Sequence, residues 1–176
     1  MLIDVRLDHL FDGELRFNEY PPNALGGDGF HVPTYGPDAD WVGYVDGGGT
    51  IEGDKVRGTL RWTNHPRRRA DGVWLPDFQG VIQTDDAADI LFSFSGYNYS
   101  LTERFEYTHR AVVAAITFQT GSDHYRWLND VFGVLEAEAG EDDATGDGIE
   151  LWRIRVYACI YEPTEPESRS PSNVQP

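Results

Sequence analysis

The stretch IELWRIRVYACIY, residues 149–161, decides the fold. Trp152, Ile154, Val156, Ala158 and Ile160 fall on one face, and Arg153, Arg155 and Tyr157 on the other. A two-residue period with one apolar face is a half-buried strand, since successive side chains of a strand point to opposite sides. Working outward, KVRGTLRW (55–62) sets Val56, Leu60 and Trp62 against Lys55, Arg57 and Arg61. MLIDVRLDHL (1–10) sets Ile3, Val5 and Leu7 against Asp4, Arg6 and Asp8. DILFSFSGY (89–97) and RFEYTHRAVVAAITFQT (104–120) are further strands. Turn signals separate these runs: DGGGT (46–50), EGD (52–54), QTDDAAD (83–89) and GEDDATGDG (140–148).

This pattern predicts an all-β chain, a single antiparallel barrel of about seven to nine strands. Closure into a barrel removes the exposed edges that so many strands would otherwise create. One short helix is expected at SDHYRWLND (122–130), capped by Ser122 or Asp123, with Tyr125 and Leu128 on its inner side. The barrel domain takes residues 1–161. The segment 17–41, rich in Pro and Gly, is long for a connection and reads as a lid, a binding segment or a disordered insert. The tail 162–176 has the composition of a disordered segment.

Composition bounds the function. The chain has 176 residues, with 14 Lys and Arg against 30 Asp and Glu, a formal net charge of −16. Such acidity argues against a nucleic-acid backbone or an anionic membrane as partner, because both require clustered positive charge. Cys159 is alone, so neither an internal disulfide nor a thiolate metal site is expected. The first residues do not read as a signal peptide, and no run of eighteen apolar residues occurs, so a cytoplasmic location is expected. There is no Gly-rich phosphate loop, dinucleotide fingerprint or nucleophile elbow, and no cofactor is expected.

The densest polar stretch is WTNHPRRRADGVWLPDFQGVIQTDD (62–86). An unperturbed imidazole changes charge near neutral pH, and His65 lies where a strand meets a polar turn; it is an acid or base at a barrel rim, or a loop histidine facing water. Asp77 stands among Leu75, Pro76, Phe78 and Val81, so it is either buried with a raised pKa or faces solvent beside an arginine. Pro76 implies a bulge or an edge at that point. His65, Asp71 and Asp77 are the candidate catalytic residues. Trp62, Asn64, Trp74, Tyr97 and His109 are the candidate ligand-binding residues, since a barrel cavity with aromatic walls and a few polar tips suits a hydrophobic or aromatic small molecule. Arg67, Arg68 and Arg69 read either as an anion-binding cluster or as a solvated turn. The acidic runs lack the alternating ligand spacing of a calcium loop, and no metal site is expected.

GGGTIEGDKVRGTL (47–60), DGV (71–73), QTDDAADILFSFSGY (83–97) and FQTGSDHYRWLNDVFGV (118–134) together resemble a bacterial family of unknown function, assigned to the allene-oxide-cyclase-like, lipocalin-like barrels. The resemblance spans about residues 1–161 and implies that barrel and a homodimer, but no catalytic mechanism. Asp71, Asp77, Asp85 and Asp86 match acidic positions of the family pattern. The segment before DGV departs from it: a glycine-rich turn followed by Asp-Trp is usual, and here WTNHPRRRA brings cations and His65. The expected activity is a cofactor-free isomerase, cyclase or lyase; a non-catalytic binder with the same cavity is the alternative.

Overall fold

The structure, a computed structural model, describes residues 3–18, 30–33, 41–100, 109–141 and 150–163. Its strands are β1 (Ile3–Phe17), β2 (Phe30–Pro33), β3 (Trp41–Glu52), β4 (Gly58–Asn64), β5 (Arg67–Arg68), β6 (Trp74–Leu75), β7 (Asp77–Thr84), β8 (Asp89–Ser100), β9 (His109–Gln119), β10 (Phe132–Glu141) and β11 (Glu150–Pro163). Eight of them close a barrel through antiparallel pairs in the order β1, β11, β10, β9, β8, β7, β4, β3 and back to β1. The short β5–β6 hairpin extends the wall between β3 and β8, and β2 pairs with β3. The all-β antiparallel barrel read from the sequence is therefore the fold.

β11 shows why the pattern was decisive. Trp152, Ile154, Val156 and Ala158 are buried in the barrel, while Arg153 and Arg155 are exposed. The interior is filled by side chains. Phe78 stacks on Phe94 with centroids 4.3 Å apart, and Trp62 and Trp152 pack on Phe78 at 4.8 and 5.2 Å.

Three expectations need correction. DGGGT is not a turn but lies within β3. The run is glycine because partners come too close for side chains: a Cβ on Gly47 would collide with the Arg16 carbonyl and the Trp62 indole. Trp62 uses that proximity and donates from Nε1 to the Gly48 carbonyl at 3.2 Å. Second, Val5 and Leu7 of the N-terminal strand face outward, 64% and 50% exposed. A register shift between His9 and Phe11 reverses the alternation, so that Leu10, Phe11 and Leu15 are the buried residues. Third, the helix expected over 122–130 is only a 3-10 turn, Arg126–Asp130, without a side-chain cap. Its inner residues were read correctly, because Tyr125 and Leu128 are both buried. Among the described residues no helix is long and apolar enough to cross a membrane. Most of 17–41 and all of 164–176 lie outside the described residues.

Candidate functional site

The ends of the barrel differ in their connections. At one end β3 joins β4, β7 joins β8 and β9 joins β10 through residues 53–57, 85–88 and 120–131. At the other, the connections begin after Phe17, Asn64, Ser100 and Glu141. Of the four buried polar side chains among the described residues, Asn64, Asn98 and Arg110 lie toward this second end and Thr84 toward the first.

Its wall is built by the stretch between Trp62 and Phe78. Pro76 interrupts the ladder, as its missing N–H requires, and separates β6 from β7. The neighbouring backbone is held instead by β4: the Asp77 N–H donates to Asn64 Oδ1 at 2.9 Å, and the His65 N–H donates to the Asp77 carbonyl at 3.0 Å. Upstream, Arg69 to Val73 form the hairpin turn. Gly72 takes a φ of 87°, and Asp71 accepts from the Val73 N–H at 3.3 Å and from Arg69. Asp-Gly at such a turn follows from the aspartate's reach to nearby backbone and glycine's access to positive φ. The turn folds β6 against β8, where Trp74 pairs with Asn98.

Asn98 is 3% exposed, and its Oδ1 is the one buried side-chain polar atom without a hydrogen-bond partner among the described residues. It lies on the same face of β8 as Phe92 and Phe94, the interior face. Asn98 pairs with Val112 of β9, which places Arg110 one step along the same face. Arg110 is 6% exposed, and its guanidinium carbon lies 5.6 Å from the centre of the Trp74 ring. Arg68, directly across from Trp74 on β5, shares that face and is half-buried. A layer of Trp74, Asn98 and Arg110, bordered by Arg68, thus stands at the end of the aromatic core formed by Phe78, Phe94 and Trp152.

The residues singled out from the sequence are divided by this geometry. Trp62 is core. Asn64 is buried, but its acceptor is used by the Asp77 N–H. Trp74 belongs to the interior layer. His65, Asp71 and Asp77 are all exposed: His65 sets its ring edge against Tyr44 at 5.4 Å, and Asp71 braces its turn. Of the two readings of Asp77, solvent-facing is the one found. Tyr97 is on the outer face, stacked with Tyr99, because it has the opposite parity to Phe94 and Asn98. The His109 backbone opens β9, and its side chain lies outside the described residues. Asn98 and Arg110 were missed, although parity with Phe94 and with Val112 would have pointed to both.

Two open grooves, of about 700 and 760 Å³, are lined by other residues than Trp74, Asn98 and Arg110. The first carries Asp12, Glu136 and Arg155, in which Arg155 donates to Asp12 at 3.0 Å and to Glu136 at 3.4 Å. Partial burial works upward on the Asp12 pKa, but hydrogen bonds from His9 and Arg155, with their charges, hold it below its ordinary value. These carboxylates and cations satisfy one another in solvent, which is the behaviour of a surface network. Among the described residues no group of three or more His, Cys, Asp or Glu could hold a metal ion.

Fold and interior layer together define a β-barrel protein with an aromatic core and, among the described residues, a buried asparagine and arginine at one end. No protein-family model and no curated protein matches the chain. Solved structures do. A β-barrel-like protein from Acinetobacter baumannii AYE is 18% identical, with a TM-score of 0.66 over 89% of this chain and 97% of that one. A protein of unknown function from Clostridium acetobutylicum ATCC 824 is 15% identical, with a TM-score of 0.68 over 91% and 100%. An enzyme from Penicillium herquei is 26% identical, with a TM-score of 0.52 over 85% and 94%.

Proposed function

We propose that the chain is a cofactor-independent enzyme, an isomerase, cyclase or lyase, acting on a hydrophobic or aromatic small molecule held at the arginine-bearing end of an allene-oxide-cyclase-like barrel. The observation that carries this reading is the unpartnered Asn98 Oδ1 beside Trp74 and Arg110. A buried polar atom without a partner costs about 1–3 kcal/mol, and a protein keeps that cost where a ligand or water will offset it. Trp74 supplies an aromatic wall, Phe78 and Phe94 a dry floor, and Arg110 a fixed positive charge. A guanidinium in a water-poor site stabilises negative charge developing on an oxygen, as in an enolate or phenolate, without reorganising during the reaction. Similarity to the Penicillium herquei enzyme supports catalysis over simple binding.

One observation favours the second reading, a binder that leaves its ligand unchanged. The buried polar side chains among the described residues are Asn64, Thr84, Asn98 and Arg110, and none accepts a proton at neutral pH. An enzyme built from them works by holding an anion, with the proton leaving through water or through His65 or Asp77 at the rim. Native mass spectrometry of the purified protein, followed by denaturing extraction, tests both. A small molecule recovered from the wild type and absent from Arg110→Met supports the site. Its conversion by fresh wild-type protein, and not by that variant, decides for the enzyme; recovery unchanged decides for the binder.

A further inference from the structure

We propose that a second copy of this chain pairs with the free edge of β1 in an antiparallel, two-fold arrangement centred on Leu7, with Arg6 of each copy opposite Asp8 of the other. The inference is independent of the ligand site and starts from the strand ladder. β1 pairs with β11 from Ile3 to Arg16, but with β3 only from Asp12 onward. Among the described residues, no strand pairs with the second edge of β1 over residues 3–9. Such an edge offers a row of unpaired N–H and C=O groups to another strand unless it is short, bulged or covered. Here the bulge comes only at the end of the segment, between His9 and Phe11. The outer face beside the edge is apolar. Val5 is 64% and Leu7 50% exposed, and Tyr161, paired with Val5 on β11, is 70% exposed. Exposed apolar side chains along an unpaired edge mark a place where another strand adds.

The charges on the other face of the segment select that strand. Arg6 and Asp8 meet at 3.0 Å within one chain. In an antiparallel pair related by a two-fold axis, opposed residues lie equally far from the centre and on the same face of the sheet. A centre at Leu7 sets Leu7 against its own copy and Val5 against His9. It also sets each Arg6 against the second copy's Asp8, so that the charges alternate in sign around the axis. Centres at Arg6 or Asp8 would oppose a charge to itself, which is destabilising, and a centre at Val5 would leave Asp8 without an opposite charge. The segment is thus complementary to itself. Backbone hydrogen bonds and the apolar face supply the attraction, and the charges fix the register. A two-fold contact closes after two copies instead of growing into a fibre. Copies of net charge −16 repel at a distance, and this contact joins them where each carboxylate already stands beside a guanidinium.

Native mass spectrometry and sedimentation equilibrium of the full chain at micromolar concentrations should show a dimer. Arg6→Asp and Asp8→Arg each place like charges opposite one another across the axis. Each should raise the dimer dissociation constant at least about tenfold, with its fold checked by its melting transition. Mixed in equal amounts, the two variants should form a heterodimer, because every opposed pair then has unlike signs; two misfolded chains would not restore one another. The double variant Arg6→Asp/Asp8→Arg should recover the self-dimer. A wild-type monomer throughout that range, or an open series of higher oligomers, would overturn the proposal. So would a dimer that neither single variant weakens, since it would use another face. Rescue of Arg6→Asp by Asp4→Arg in place of Asp8→Arg would move the centre to Val5 and overturn the register.

Discussion

The two ends of this barrel are built from the same strands and solve opposite problems. At the end closed by the 3-10 turn, Leu128 and Ile90 are 0% exposed and Val56 is 1% exposed. The polar groups around them, several of them exposed, are paired. Tyr125 donates to Asp86 at 3.0 Å, and Asp86 also accepts from Thr84. The Thr120 N–H donates to Asn129 at 2.8 Å, and the Asn129 amide donates back to the Thr120 carbonyl at 3.0 Å. At the far end Asn98 is as deeply buried, yet its oxygen goes unpaired beside a buried arginine. One end is completed by its own side chains; among the described residues of the other, Asn98 Oδ1 has no partner. The proposed function rests on that contrast.

The largest expected effect breaks the closed end. Leu128→Ala removes a fully buried side chain from the plug and should cost about 2–5 kcal/mol, read as a large fall in the melting temperature. Recovery of a bound small molecule from the folded protein should not change, because the plug lies at the opposite end of the barrel from Arg110. The next effect has the opposite sign. Asn98→Leu removes a buried unpaired acceptor while keeping similar volume, and should raise stability by up to about 1 kcal/mol, seen as a modest rise in the melting temperature. Stability bought at the price of binding is the mark of a site, whereas a loss of stability would mean that Asn98 is an ordinary structural residue.

Most of the barrel was legible because it depends on alternation. β11 and β8 have apolar faces long enough for the period to be read without ambiguity. β1 misled because the shift between His9 and Phe11 exchanges its two faces, and a bulge leaves no mark in composition. The glycine run of β3 read as a turn because propensity is local, whereas what requires glycine there is the approach of Trp62 and of the Arg16 carbonyl, from strands distant in sequence. The site was less legible for a related reason. Attention fell on the cluster of polar residues around His65, where composition is dense, and Trp74 came with it. Asn98 sits alone between two tyrosines and Arg110 beside a histidine, and only the pairing of β6, β8 and β9 brings them together.

A smaller effect concerns the closed end in acid. Hydrogen bonding from Thr84 holds the Asp86 carboxyl below its ordinary value, with Tyr125 adding to it, against an upward push from partial burial. A carboxyl whose folded pKa is depressed contributes stability above its unfolded value near 4, and that contribution is lost as pH falls through the folded value. Melting temperatures of wild type and Asp86→Asn measured from pH 7 down to pH 2.5 should therefore differ most at neutral pH and converge in acid. A constant difference across that range would show that the charge of Asp86 has no part in holding the turn. Ligand binding at the far end should follow neither curve.

The smallest expected effect tests where the chemistry lies. His65→Ala and Asp77→Asn each alter an exposed side chain, and substitutions of that kind usually stay within about 0.5 kcal/mol in stability. If the reaction depends on Arg110 holding an anion inside the barrel, turnover of a ligand recovered from the protein should collapse in Arg110→Met. It should change by less than about tenfold in either rim variant, since water can carry the proton that the rim residue would have carried. A loss in His65→Ala as deep as that in Arg110→Met would move the decisive proton transfer to the rim. A pH–rate profile of the wild type that changes shape in His65→Ala, and not in Asp77→Asn, would make that residue the base. A rate indifferent to both would leave the interior layer of Arg110, Asn98 and Trp74 as the whole of the machinery.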